Sequence, residues 1–284
     1  PYRRQRQMCI RDRLLPLGIQ FTSANLINSI YTEGRSLVIG KFYSSADLAF
    51  FNRGNQFPAL IVGNLNTPIS NVMLPLMAEK KDSQYALKSV LRKAMQLSAY
   101  LVFPMMGILA ACAHPLVLVL LGQKWAECVP YLQVACLFYL FQPLQSMNWQ
   151  ALKAAGQGAL CFKLEVIKKA ISFIVLIMSI PFGVFAISLS SAFCGFVSML
   201  INMTPNKKVL GYGIFEQLID VLKPSIATLF SVVIALLLIH ISNGNLISLI
   251  VAPLGSLGCY IVLSKLMNIE GFNLLMDKLS LRRN

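Results

Sequence analysis

The sequence predicts an all-α, polytopic integral membrane protein with about eight transmembrane helices, and three observations predict it. Apolar residues make up 56% of the 284 residues and charged residues only 13%, with a mean hydropathy of +0.66. A soluble chain carries about 25% charged residues, because its surface has to be solvated; this chain has too few, and lipid is its natural solvent. Apolar runs of about 20 residues, the length a helix needs to cross about 30 Å of hydrocarbon, recur along the sequence. Basic residues then gather in alternate connections between those runs.

The first two runs, about 15–40 and 46–77, are long but carry more polar residues than the rest. Six clearer spans follow at about 95–113, 129–152, 166–182, 183–204, 222–241 and 246–267. Pro104, Pro143 and Pro181 fall within spans or at their ends, where neighbouring helices can satisfy the carbonyls a proline frees. Pro181-Phe182-Gly183 and Ser242-Asn243-Gly244-Asn245 read as tight turns. Between the second and third spans, segment 82–96 sets Ala86, Leu87, Val90, Leu91 and Ala94 against Lys88, Arg92 and Lys93. That pattern predicts a short amphipathic helix lying on the membrane surface.

Charge tests the count. With the first span starting inside, the connections at about 78–93, 153–169 and 205–223 and the tail at 265–284 are cytoplasmic. They hold Lys80, Lys81, Lys88, Arg92, Lys93, Lys153, Lys163, Lys168, Lys169, Lys207, Lys208, Lys223, Lys265, Lys278, Arg282 and Arg283. The opposite connections hold Lys124 alone. This is the positive-inside pattern, and a wrong count would scramble it. The formal net charge of +14 is therefore mostly topology rather than a nucleic-acid footprint, and the loop pattern places the C-terminus in the cytoplasm.

Residues 1–13, PYRRQRQMCIRDR, are basic and aperiodic. RQRQMCIRDR resembles translated sequencing-adapter read-through, so these residues are set aside from the fold reasoning as a non-native tail. Cys9, Cys112, Cys128, Cys136, Cys161, Cys194 and Cys259 lie apart, without CxxC or Cys/His spacing. They read as apolar packing residues rather than metal ligands or disulfides. His114 and His240 sit near the outer ends of spans and read as structural. No HExxH, Walker A, GxSxG or paired-carboxylate pattern is present, so no enzymatic chemistry, metal or cofactor is expected.

The informative residues are polar ones at membrane depth. Asn25, Asn28, Thr32 and Arg35 recur on one helical face of the first span, with Glu33 nearby. The second carries Asn52, Arg53, Asn55 and Gln56; the fourth carries Gln142, Gln145 and Asn148. A charge at the bilayer centre costs several kcal/mol unless it faces a wet cavity or a partner. One reading is a hydrophilic cavity in which Arg35 and Arg53, with Lys41, meet an anionic ligand, since a guanidinium binds two phosphate oxygens at once. Asn28, Thr32, Asn52, Gln56, Gln145 and Asn148 would complete its polar lining. The other reading is that these cations snorkel or pair and that the amides join helices.

SLVIGKFYSSADLAFFNRGNQFP (36–58), VFPMMGILAACAHPLVLVLLGQKWAECVPYLQV (102–134) and KLEVIKKAISFIVLIMSIPFG (163–183) resemble, in order, the C-terminal portion of Wzx-type polysaccharide flippases. That family belongs to the MATE-like exporter superfamily, and the similarity runs over residues 14–240. The resemblance implies a parent of two six-helix lobes around a central cavity plus a C-terminal helix pair. This chain then corresponds to helices seven to fourteen: 14–208 the C-terminal lobe, and 209–284 the extra helix pair with its tail. It further implies a bacterial cytoplasmic membrane and an undecaprenyl-pyrophosphate-linked oligosaccharide as substrate, moved by alternating access. The implied partners are the N-terminal lobe, membrane lipids, a polysaccharide polymerase and glycosyltransferases. On this resemblance Arg35 and Arg53 contact phosphate or sugar. Relatives carry an acidic residue near the position of Arg35, whereas here Glu33 comes two residues earlier, so no coupling-ion role is transferred. A lipid II flippase and a cation-coupled drug exporter of similar fold are the alternatives.

Overall fold

Ser44 starts the second helix by a capping box, its hydroxyl accepting from the Asp47 N–H while the Asp47 carboxylate takes the Ser44 N–H. Both otherwise orphaned donors are satisfied, which stops the first helix and begins the second within three residues. In a computed structural model, which describes residues 2–80, 82–242 and 248–281, such boundaries divide the described residues into twelve α-helices without a strand. They are α1 (Tyr2–Phe42), α2 (Ser45–Glu79), α3 (Gln84–Ala111), α4 (Ala113–Leu120), α5 (Val129–Leu140) and α6 (Gln142–Ala154). There follow α7 (Gly158–Ser179), α8 (Val184–Met203), α9 (Asn206–Leu210), α10 (Ile214–Ile241), α11 (Ser248–Leu266) and α12 (Glu270–Leu281). Short 3₁₀ turns at Gln123–Cys128 and Ile180–Phe182 precede α5 and α8.

Among the described residues, four segments are long and apolar enough to cross a membrane: Gln84–Ala111, Val184–Leu210, Ile214–Ile241 and Leu249–Leu266. The turn expected at Ser242–Asn245 lies largely outside the described residues. Gly183, with φ of 96°, makes the turn expected before α8, a left-handed conformation that a side chain disfavours.

Three expectations change. The amphipathic segment 82–96 is not a separate surface helix but the first turns of α3, which runs unbroken to Ala111. Its apolar face covers protein: Leu87, Leu91, Ala94 and Met95 are buried with Met77, Leu210 and Tyr212. Ordinary core burial explains the pattern that sequence alone assigned to lipid. The expected span 129–152 is two helices that meet at Phe141. Pro143 has no N–H to give the preceding turn, so the helix steps there. The tail expected at 265–284 contains α12, which lies on α3, with Gly271 against Tyr100 and Gln96.

Packing sets the remaining geometry. α2 crosses α5 where Gly54 meets the Tyr131–Leu132 backbone; a Cβ there would come within 2.8 Å of the Leu132 nitrogen. α10 lies along α3 and α11, and α1 lies along α7. Polar clamps join α3 to α10: Arg92 donates to Asp220 at 2.5 Å, and Lys88 pairs with Glu216 at 2.6 Å. Tyr212, in the turn before α10, donates to the same Asp220 carboxylate at 2.5 Å. Burial and that carboxylate push the Tyr212 phenol above its ordinary range, so it stays a neutral donor.

Candidate functional site

The step between α5 and α6 turns Gln142 and Gln145 toward the faces of α1, α7 and α8. Two small polar chambers form there, of about 140 and 220 Å³. They share Asn28, Gln142, Gln145, Glu165 and Lys168. α1 supplies Tyr31, Thr32 and Arg35 to the first, α7 adds Lys169 and Ser172, and α8 adds Ser191 and Cys194. The second extends to Asn25, Asn66, Ser146, Trp149 and Asn202. Gln145 is held by donating to the Gly195 carbonyl at 2.9 Å, and Ser146 donates to Asn66 at 3.0 Å.

Arg35 is fixed from three sides. It donates to the Ser191 hydroxyl on α8, and its guanidinium carbon lies 5.2 Å from the Tyr31 ring centre and 5.9 Å from that of Phe51. Tyr31 is buried, and Lys169 approaches its ring to 4.7 Å. The negative face of an aromatic ring attracts cations, so Tyr31 holds two of them in one place. On α7, Glu165 lies 2.6 Å from Lys168 and 3.8 Å from Lys169. All three side chains are largely buried, Lys168 at 8% exposure and Glu165 at 11%. The first chamber therefore sets three cations, Arg35, Lys168 and Lys169, against one carboxylate. A site with that excess favours an anion.

The expected site residues separate into groups. Asn28, Thr32, Arg35 and Gln145 come together at the chambers. Asn52, Arg53 and Gln56 do not line them: Arg53 donates to Gln56 at 2.7 Å and lies 5.1 Å from the Trp125 ring. The reason is helical rotation. Phe51 faces Arg35, and Arg53, two residues later, is turned by about 200° around α2. Lys41 approaches the Phe42 ring at 6.0 Å and lines neither chamber. Asn148 is fully buried, donating to the Leu144 carbonyl at 2.7 Å and accepting from Asn206. In this structure it joins α6 to α9.

Sequence reasoning counted Lys168 and Lys169 among the loop cations and passed over Glu165. The structure places all three inside α7, where the i, i+3 and i, i+4 steps bring both ammonium groups to one carboxylate. That spacing was the available signal. Two further cavities, each about 570 Å³, are lined almost wholly by hydrocarbon, one beside α3 and α11 and one along α5, α7 and α8. Their walls suit acyl chains and offer nothing to a charged headgroup. Among the described residues, no group of three His, Cys, Asp or Glu side chains comes together.

Residues 7–130 match the family described as "Polysaccharide biosynthesis protein", a match that begins inside the segment set aside as a tail. The chain is 24% identical to the teichuronic acid biosynthesis protein TuaB of Bacillus subtilis over 49% of its own length and 29% of that protein. It is 23% identical to the lipopolysaccharide biosynthesis protein WzxC of Escherichia coli over 54% of its length and 31% of that protein. These matches span less than a third of either relative. Among solved structures, the lipid II flippase MurJ in an inward closed conformation superposes with a TM-score of 0.73 at 15% identity, over 86% of this chain and 52% of MurJ. The resemblance to Wzx-type flippases and the all-α membrane fold class are thereby borne out.

Proposed function

We infer that this chain, a relative of polysaccharide-biosynthesis transport proteins with a MurJ-like fold, forms the cation-bearing half of a flippase for lipid-linked oligosaccharides. The observation that carries the reading is the Arg35–Lys168–Lys169 chamber inside an otherwise apolar helical body. Buried charge excess of this kind is costly unless a ligand uses it, and a phosphate-bearing headgroup supplies the missing anion. Amide side chains from Asn25, Asn28, Gln142 and Gln145 offer hydrogen bonds of the kind sugars make. The substrate proposed is an undecaprenyl-pyrophosphate-linked repeat unit, handled in the bacterial cytoplasmic membrane.

Such a protein needs no covalent chemistry. It lowers the barrier to carrying a polar headgroup through hydrocarbon by offering donors along the path while the lipid tail stays in the bilayer. Alternating access then follows from one helical body rocking against another around the site. Residues 14–208 are the proposed lobe, and 209–284 the added helix pair that braces α3.

The test is genetic. The gene is deleted from its host, and lipid-linked repeat units on the cytoplasmic face are measured together with surface polysaccharide. The reading expects units to accumulate and surface polysaccharide to fall, with wild type curing both and Arg35→Ala curing neither at equal membrane expression. Unchanged polysaccharide without accumulation would sink it.

A further inference from the structure

We propose that Glu165 is a resident counter-ion: it occupies Lys168 and Lys169 in the empty chamber, and a pyrophosphate group displaces it on binding. This rests on the flippase reading and deepens it. Glu165 is the single carboxylate among the described residues lining the two polar chambers. Its two oxygens reach different lysines, Oε2 to Lys168 at 2.6 Å and Oε1 to Lys169 at 3.8 Å. The three groups share one helix face, so the carboxylate holds two ammonium groups as a bidentate anion would.

Charge arithmetic supports the exchange. Arg35, Lys168 and Lys169 against Glu165 leave the chamber with an excess of two positive charges. A pyrophosphate diester, with one charge on each phosphate, matches that excess. Without Glu165 the site would hold three unopposed cations, bind the headgroup more tightly and release it more slowly. A transporter gains by weakening a site it must also empty, because interactions that merely deepen binding do not speed passage. Glu165 returns to the lysines as the headgroup leaves, so neither state buries unpaired ammonium groups.

Trp149 makes the exchange visible, because Lys168 lies 4.8 Å from its ring centre. With Trp125→Phe as background, Trp149 becomes the only indole. The purified chain is titrated in nanodiscs at low salt with inorganic pyrophosphate and with geranyl pyrophosphate, and Trp149 fluorescence is followed. Glu165→Gln is expected to bind both probes about tenfold more tightly than its parent, because the carboxylate that competes for the two buried lysines is gone. Headgroup transport by the same variant is expected to fall, so binding and turnover move in opposite directions. A merely structural Glu165 would lose both.

Parent binding with Glu165→Gln equal or weaker overturns the exchange and leaves the flippase reading standing. Absence of binding in both, with helical circular dichroism intact, overturns the cationic site and the exchange together. Geranyl pyrophosphate binding no tighter than inorganic pyrophosphate assigns the site to a free anion and also overturns the proposal. If the extra charge unfolds Glu165→Gln, Lys169→Gln is compared with the Glu165→Gln/Lys169→Gln pair, which keeps the wild-type net charge. The pair is expected to bind more tightly by a similar factor, and equal binding contradicts the exchange.

Discussion

The Arg35 guanidinium lies 5.9 Å from the ring centre of Phe51, so the helices that meet at the Ser44 turn share one arginine and not the other. Arg53, two residues beyond Phe51, is directed to Gln56 and Trp125. The two arginines therefore have separate surroundings. Arg35→Ala is expected to lower headgroup transport by more than about tenfold, since a charged donor held by Ser191 and two rings is lost. Arg53→Ala is expected to stay within about twofold, as for a cation resting on an interfacial ring. Complementation of a deletion strain with each variant, at matched expression, checks the difference.

Cys194 lies on the wall of the cationic chamber, and its labelling reports the local field. In a chain whose other cysteines are replaced by alanine, a negatively charged methanethiosulfonate reagent is expected to react several-fold faster than a positively charged one. The charge excess concentrates anions near the thiol. Rates that are equal, or that favour the cation, would mean the chamber field is not positive.

Much of the fold was legible, because apolar runs of membrane length survive in the structure as helices. The merging of 82–96 into α3 was not, since periodic Leu87, Leu91 and Ala94 look the same whether lipid or Tyr212 covers them. The site was half legible. Asn28, Thr32 and Arg35 share one face of one helix, so a local period found them. Setting Arg53 apart needed the rotation of α2 relative to Arg35, and removing Asn148 from the chamber needed Asn206, 58 residues away. Lys168 and Lys169 were read as topology because a count of loop charge does not ask which of them meets a carboxylate.

Gly54 lets α2 lie directly against the α5 backbone at Tyr131 and Leu132. Gly54→Val is expected to destabilise the chain by about 1–3 kcal/mol, because the added atoms meet backbone rather than a flexible side chain. Thermal unfolding in detergent measures it, and Gly63→Ala, at a position with open space around it, is the control.

The α3–α10 clamp offers a separate stability test. Asp220 is nearly inaccessible and receives both Arg92 and Tyr212. Asp220→Asn removes the charge on which these bonds converge and is expected to cost about 1–3 kcal/mol. Tyr212→Phe is expected to cost less, since Arg92 keeps its partner. The two melting curves, compared with wild type, give the order.

In the flippase proposal, the full protein carries a lipid-linked pyrophosphoryl saccharide across a bilayer through the Arg35 chamber. The most direct measurement reconstitutes the full gene product in vesicles with a fluorescent lipid-linked pyrophosphoryl saccharide. A membrane-impermeant quencher is then added outside. Wild type is expected to expose the inner-leaflet label to the quencher, whereas Arg35→Ala is expected to leave it protected as in protein-free vesicles. Inner-leaflet label that stays protected with folded wild type, or is exposed equally by Arg35→Ala, would contradict it.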